Sequence, residues 1–136
     1  MQRAVWGVAI AALLGGPSRS LHYEAQGITR SILQIDEHSN EETVTIKKFD
    51  ELELSLAENP TTGYRWEVKS SGAPVCQLKN TFFDSPSERI GQGGRRRWLF
   101  QVVELGRATI ELAYQRSFER EKRPVKTFKI TIRANH

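Results

Sequence analysis

From Thr43 onward the chain alternates between apolar and polar residues. In "TVTIK", Val44 and Ile46 share a face. In "ELELSL", Leu52, Leu54 and Leu56 are apolar, while Glu51, Glu53 and Ser55 face the other way. A period of two marks a β-strand with one face on a core and one in water. The same period recurs in "RRRWLFQVV" (Trp98, Phe100, Val102), "ATIELAYQ" (Ile110, Leu112, Tyr114) and "KTFKITIRA" (Phe128, Ile130, Ile132). "SILQID" and "NTFF" read as two further strands, and "VCQLK" places Cys76 and Leu78 on one core-facing side. Turn-forming clusters separate these runs: "SSGAP", "DSPSERIGQGG", "ELGRA" and "EREKRP". No stretch after residue 20 carries a helical period with caps. The pattern predicts an all-β, antiparallel sandwich of about seven to eight short strands with Greek-key connections.

The first twenty residues break the pattern. "MQRAVWGVAIAALLGGPSRS" has Arg3, an apolar run from Ala4 to Leu14, and then small residues with a proline. That is the layout of a secretory signal peptide, with cleavage expected between Gly16 and Ala25. The run is shorter than the ~20 apolar residues a membrane-spanning helix needs, so no stable membrane insertion is expected. The domain reading is a signal peptide over 1–20, a leader over 21–31 and one folded domain over 32–136. The expected location is the secretory pathway: secreted, periplasmic, or in an endosomal or lysosomal lumen.

This segment changes the charge argument. The whole chain carries 20 basic and 16 acidic residues, a formal +4. Arg3 and Arg19 leave with residues 1–20, and no acid does. The remaining domain is only mildly basic, which gives nucleic-acid binding little support. Cys76 is the sole cysteine, so no internal disulfide can form and the core must stabilise the fold. Its strand position predicts a buried, inert thiol.

Catalytic constellations are scarce. His22, His38 and His136 stand at spacings that suit no zinc site, and no metal or cofactor is expected. A nucleophilic Cys76 would need exposure and an activating partner. Glu41, Glu42, Glu119 and Glu121 sit in charged turns and read as solvated. Arg95–Arg97 opens a strand, with Arg97 outward, and is too short for a phosphate-binding tract. The chain does not read as an enzyme.

The loops carry more information. In "NPTTG", Pro60 fixes its own φ and holds Asn59 extended. Thr61 and Thr62 are stiff at χ1, and Gly63 can close the turn with a positive φ. The product is a preformed, uncharged wedge, which loses little entropy on docking. "GQGG" at Gly91–Gly94 lets another backbone approach closely. "RSF" places Arg116 and Phe118, favoured interface anchor types, just past a strand end. Each loop alone is an ordinary turn. A Greek-key sandwich can gather all three at one end.

Three motifs in this order resemble the chagasin family of cysteine-peptidase inhibitors. That family has N-P-T-T-G and an aromatic, then G-x-G-G, then R-P-W or R-P-F. Here they stand as Asn59–Tyr64, Gly91–Gly94 and Arg116–Phe118, with similarity from Ile32 to Asn135. The third motif departs, with Ser117 in place of proline and Phe118 in a position more often tryptophan.

The resemblance implies an immunoglobulin-like fold and reversible, non-covalent blocking of papain-like cysteine peptidases of the cathepsin L/B type, by a monomer without a cofactor. It assigns peptidase contacts to Asn59, Pro60, Thr61, Thr62, Gly63, Tyr64, Gly91, Gln92, Gly93, Gly94, Arg116 and Phe118. Thr61 and Thr62 would enter the cleft. The alternative is a non-inhibitory immunoglobulin-like recognition or adhesion module, since fold does not fix function.

Overall fold

A computed structural model describes residues 9–11, 19–25, 28–85, 93–119 and 121–136, with side chains from Ser31 onward. The strands are β1 (Ala9–Ala11), β2 (Arg19–Ala25), β3 (Ile28–Ile35), β4 (Thr43–Lys47) and β5 (Glu51–Glu58), followed by β6 (Tyr64–Ser71), β7 (Cys76–Asp84), β8 (Gly94–Val102), β9 (Gly106–Arg116) and β10 (Lys126–Asn135). From β3 on, eight strands make two sheets of four, in the orders β3-β5-β8-β7 and β4-β10-β9-β6. The β1–β2 hairpin extends the first sheet beyond β3. β1 lies within the segment read as a signal peptide, and β2 runs from its end into the leader.

The alternating residues form the core between the sheets. Leu52, Leu54, Leu56, Trp98, Phe100, Ile110, Leu112, Phe128, Ile130 and Ile132 are all at most 3% exposed. Burying each such side chain stabilises the fold by roughly 1.5–3 kcal/mol. Tyr114, read on the same face as Ile110 and Leu112, is half-buried, because it sits where the sandwich opens toward its loops.

Two pairings differ from a purely antiparallel sandwich. β3 pairs with β5, and β4 with β10, in parallel. The chain leaves β3 through a short 3-10 turn (Glu37–Ser39), capped by Asp36, and enters the opposite sheet as β4. Alternation specifies which face a strand buries, not which neighbour it takes.

β7 also corrects the reading of "VCQLK". "NTFF" is the continuation of the same edge strand, and the register slips between Leu78 and Asn80. Cys76 is buried at 2% exposure, but Leu78 is 37% exposed. Leu78 keeps the Cys76 face, in register with buried Phe100, but it lies on the edge strand, where its side chain is left partly in water. Burial pushes the Cys76 thiol up to about 11.

Candidate functional site

The Asn59–Gly63 loop connects β5 in one sheet to β6 in the other. Pro60–Thr62 form a single 3-10 turn, with proline at its start, where a missing N–H costs nothing. Asn59 is the cap. Its Oδ1 accepts from Thr61 N at 3.2 Å and from Thr61 Oγ1 at 2.7 Å. Thr62 Oγ1 donates to Asn59 O at 2.7 Å and accepts from Tyr64 N at 3.3 Å. Gly63 ends the turn at φ 82°, in the left-handed region that other residues enter at a cost. Both threonines are exposed, and each hydroxyl is tied to the loop itself. Their methyl groups give the tip an uncharged surface.

The loop stands on a charged base that the sequence did not reveal. Glu58, the last residue of β5, is 2% exposed. Its Oε1 accepts from Arg96 at 2.8 Å, and its Oε2 accepts from Trp66 N at 2.9 Å. A buried carboxylate is tolerated when paired and hydrogen-bonded in this way. The Arg96 guanidinium also lies over the Phe83 ring, 5.1 Å from its centroid. The arginine run therefore splits. Arg96 shares the parity of Trp98 and Phe100 and turns inward. Arg97 on the outer face bonds Asp84 at 2.5 Å and Glu53 at 2.9 Å. Arg95 reaches Glu37 and Ser55. The parity of Arg96 was the one available signal.

An aromatic stack supports the loop from the other sheet. Tyr114 lies between Tyr64 (centroids 5.5 Å) and Trp66 (4.9 Å), and its hydroxyl accepts from Asn59 N at 3.3 Å. Trp66 Nε1 donates to Ala57 O at 2.9 Å. The site thus uses Trp66 as a strut between the sheets.

The other two motifs converge on this loop. A Cβ on Gly93 would lie 3.4 Å from the Asn59 Cβ and the Glu58 carbonyl, so Gly93 itself lies against the wedge base. A Cβ on Gly94 would run into the Asp84 carbonyl and the Phe83 ring, so that position requires glycine. Gly91 and Gln92 lie outside the described residues. On the opposite flank, Arg116 pairs in register with Tyr64 and stacks on its ring at 4.5 Å. Phe118 follows in a 3-10 turn (Ser117–Glu119) and is 76% exposed. Arg116 lies 5.8 Å from its centroid.

The third loop lacks the motif proline but has an ionic clamp. Glu119 receives Arg116 at 3.5 Å and Lys122 at 2.6 Å. The hydrogen bond from Lys122 chiefly holds the Glu119 carboxyl below its usual range.

No described residue offers an activated nucleophile at this surface, and Cys76 sits buried with a raised pKa. Asp36, Glu37 and His38 bring ligand atoms within 4.8 Å of one another. Asp36 is committed to capping His38 N, and Glu37 to Arg95.

Residues 45–132 match the family model described as chagasin family peptidase inhibitor I42. The chain belongs to the chagasin family. Its activity class is therefore inhibition of cysteine peptidases and not catalysis. It is 26% identical over 101 residues to chagasin of Trypanosoma cruzi, spanning 71% of this chain and 92% of that protein. It is 35% identical over 89 residues to amoebiasin-1 of Entamoeba histolytica, spanning 62% of this chain and 82% of that protein. The crystal structure of the cysteine protease inhibitor EhICP2 from Entamoeba histolytica has the same fold, with a TM-score of 0.68 at 22% identity over 76% of this chain and 95% of that one. The solution structure of amebosin aligns with a TM-score of 0.60 at 27% identity, over 76% and 97%.

Proposed function

We propose that this chagasin-family protein inhibits papain-like peptidases of the cathepsin L/B type by steric, reversible, non-covalent occlusion of the active-site cleft. Thr61 and Thr62 enter the cleft. Gly93 and the glycine loop, including Gly91 and Gln92, border one side. Arg116 and Phe118 hold the other. The observation that carries this reading is the Asn59-capped turn, whose tip is uncharged, exposed and already ordered by its own hydrogen bonds. Little entropy is left to lose on docking, so contact energy appears as affinity. Phe118, held out beside a cation, suits an interface anchor. The protein acts as a monomer and uses no cofactor.

The test is a titration of the purified protein against papain and a cathepsin L-type enzyme. A Thr61→Asp/Thr62→Asp variant runs in parallel. Reversible inhibition by the wild type that collapses in the variant supports the wedge. A folded protein without effect at micromolar concentration leaves the recognition-module reading in its place.

We further propose export, on the layout of residues 1–20. Papain-like peptidases would be met in a secretory, extracellular, periplasmic or endosomal–lysosomal space. N-terminal sequencing of the protein recovered from its native cells tests this: a mature start between Gly16 and Ala25 supports it, and an intact Met1 start overturns it.

A further inference from the structure

The outer face of the β4-β10-β9-β6 sheet, at the end away from the loops, has an unusual charge pattern. Arg133 of β10 stands directly opposite Arg107 of β9. Like charges in direct cross-strand register destabilise a sheet unless something neutralises them. Thr45 of β4 flanks Arg133 on its other side, and Lys47 stands opposite Asn135 one level further out. Lys47, Arg107 and Arg133 are exposed, and none makes an ion pair among the described residues. A surface cavity of about 480 Å³ lies here, lined by Thr45, Gly106, Arg107, Arg133, Ala134 and Asn135. No lining residue carries a side-chain carboxylate.

The next level inward is a row of hydroxyls. Thr43, Thr131 and Thr109 align across the three strands. The following level is neutralised, with Lys129 opposite Glu111. A cationic row thus borders a hydroxyl row on the outer face of this sheet. The exposed apolar residues Phe49 and Leu105 lie in turns beyond the strand ends, not on this face.

We propose that this face binds an acidic polysaccharide. Arg107 and Arg133 take one sulfate or carboxylate group between them, and the threonine row bonds sugar hydroxyls. Bidentate, charge-assisted bonds from arginine suit such oxyanions. Arg107 and Arg116 are nine residues apart on β9, which is about 30 Å at ~3.4 Å per residue. The glycan face and the peptidase-binding loops therefore lie at opposite ends, and both partners fit at once.

Heparin is the probe. The intact protein is titrated with heparin at fixed ionic strength, beside phosphatidylserine vesicles and single-stranded DNA. An Arg107→Ser/Arg133→Ser variant is expected to lose at least about tenfold in heparin affinity near 0.1 M salt, as the loss of two counterion-releasing contacts implies. A Thr43→Val/Thr131→Val variant is expected to lose affinity with an unchanged salt slope, which a purely ionic patch would not show. Inhibition of papain by all variants is expected to match the wild type. A double arginine variant that binds heparin as tightly as wild type overturns the proposal, as does vesicle or DNA binding that equals heparin binding. A wild type that binds heparin but does not inhibit papain would count against the peptidase reading alone.

Discussion

The Glu58 carboxylate and the Arg96 guanidinium meet at 2.8 Å directly beneath the Asn59–Gly63 loop, with the Glu58 side chain fully out of solvent. Removing one partner of a buried pair leaves the other charge uncompensated and costs about 3–5 kcal/mol. Arg96 keeps partial exposure, so Glu58→Gln is expected at the lower end, about 3 kcal/mol by denaturant unfolding. A Glu58→Gln/Arg96→Met variant should recover part of that loss, because the stranded charge is gone. Equal stability of the single variant and wild type would show that the pair does not support the base.

Asn59 is expected to act on affinity more than on global stability. Asn59→Ala removes the acceptor for Thr61 N and Thr61 Oγ1, a cap loss worth about 1 kcal/mol. The tip then orders only on docking, so peptidase dissociation should quicken about tenfold, beyond the modest fall in the unfolding midpoint that the lost cap alone gives. Gly63→Ala forces a Cβ into φ 82° and should cost about 1–2 kcal/mol by local loosening of the same turn. Stopped-flow dissociation rates would separate the two, and an unchanged rate for Asn59→Ala would remove pre-ordering from the explanation.

Ser117 offers a gain of function. It opens a 3-10 turn and follows the strand residue Arg116, a setting that accepts proline at the following position. Ser117→Pro should raise folding stability by about 0.4–1 kcal/mol through unfolded-state entropy, and should tighten inhibition by pre-ordering the third loop in the folded, free protein. Glu119→Gln should act in the opposite direction by releasing Arg116 and Lys122. Since the Glu119 carboxyl is held below its usual range, the clamp is present above the unfolded carboxylate pKa and is lost as pH falls through the folded value. The affinity gap between wild type and Glu119→Gln should therefore close only in acid. A gap that is flat with pH would rule out an ionic clamp.

Cys76 gives a test in alkali. Its thiol rises from an ordinary 9.0 to about 11 on folding. The folded state then holds the proton more tightly, so this contribution is complete below pH 9 and is lost as pH rises toward 11. The full effect is about 2–3 kcal/mol, at ~1.4 kcal/mol per pH unit. The steepness of wild-type destabilisation over that window should exceed that of Cys76→Ala. Parallel curves would mean that the thiol reaches solvent.

Much of this was readable from the chain. Leu52, Leu54, Leu56, Phe128, Ile130 and Ile132 were legible because a half-buried strand imposes a strict period of two. Thr61, Thr62, Gly93, Arg116 and Phe118 were legible as motifs, and the fold brings them to one end. Glu58 was not, since a lone glutamate closing an alternating run looks solvated until its arginine partner is known. Arg96 hid inside a charge run whose neighbours do face water. Leu78 misled because the residue pattern gives a strand's face but not its place at the sheet edge, where an inward side chain stays partly exposed. The parallel pairings arise from contacts distant in sequence, which periodicity does not encode.

The loop's two ends belong to different sheets: β5 enters from one and β6 leaves into the other. The tip is therefore aimed by the distance and angle between two layers, not by a hairpin. Any sliding of one layer over the other swings the blade, and the two bonds from Trp66 to Glu58 and to the Ala57 carbonyl act as the brake. The pentapeptide grafted onto a hairpin within a single sheet would keep its internal bonds and lose its bearing.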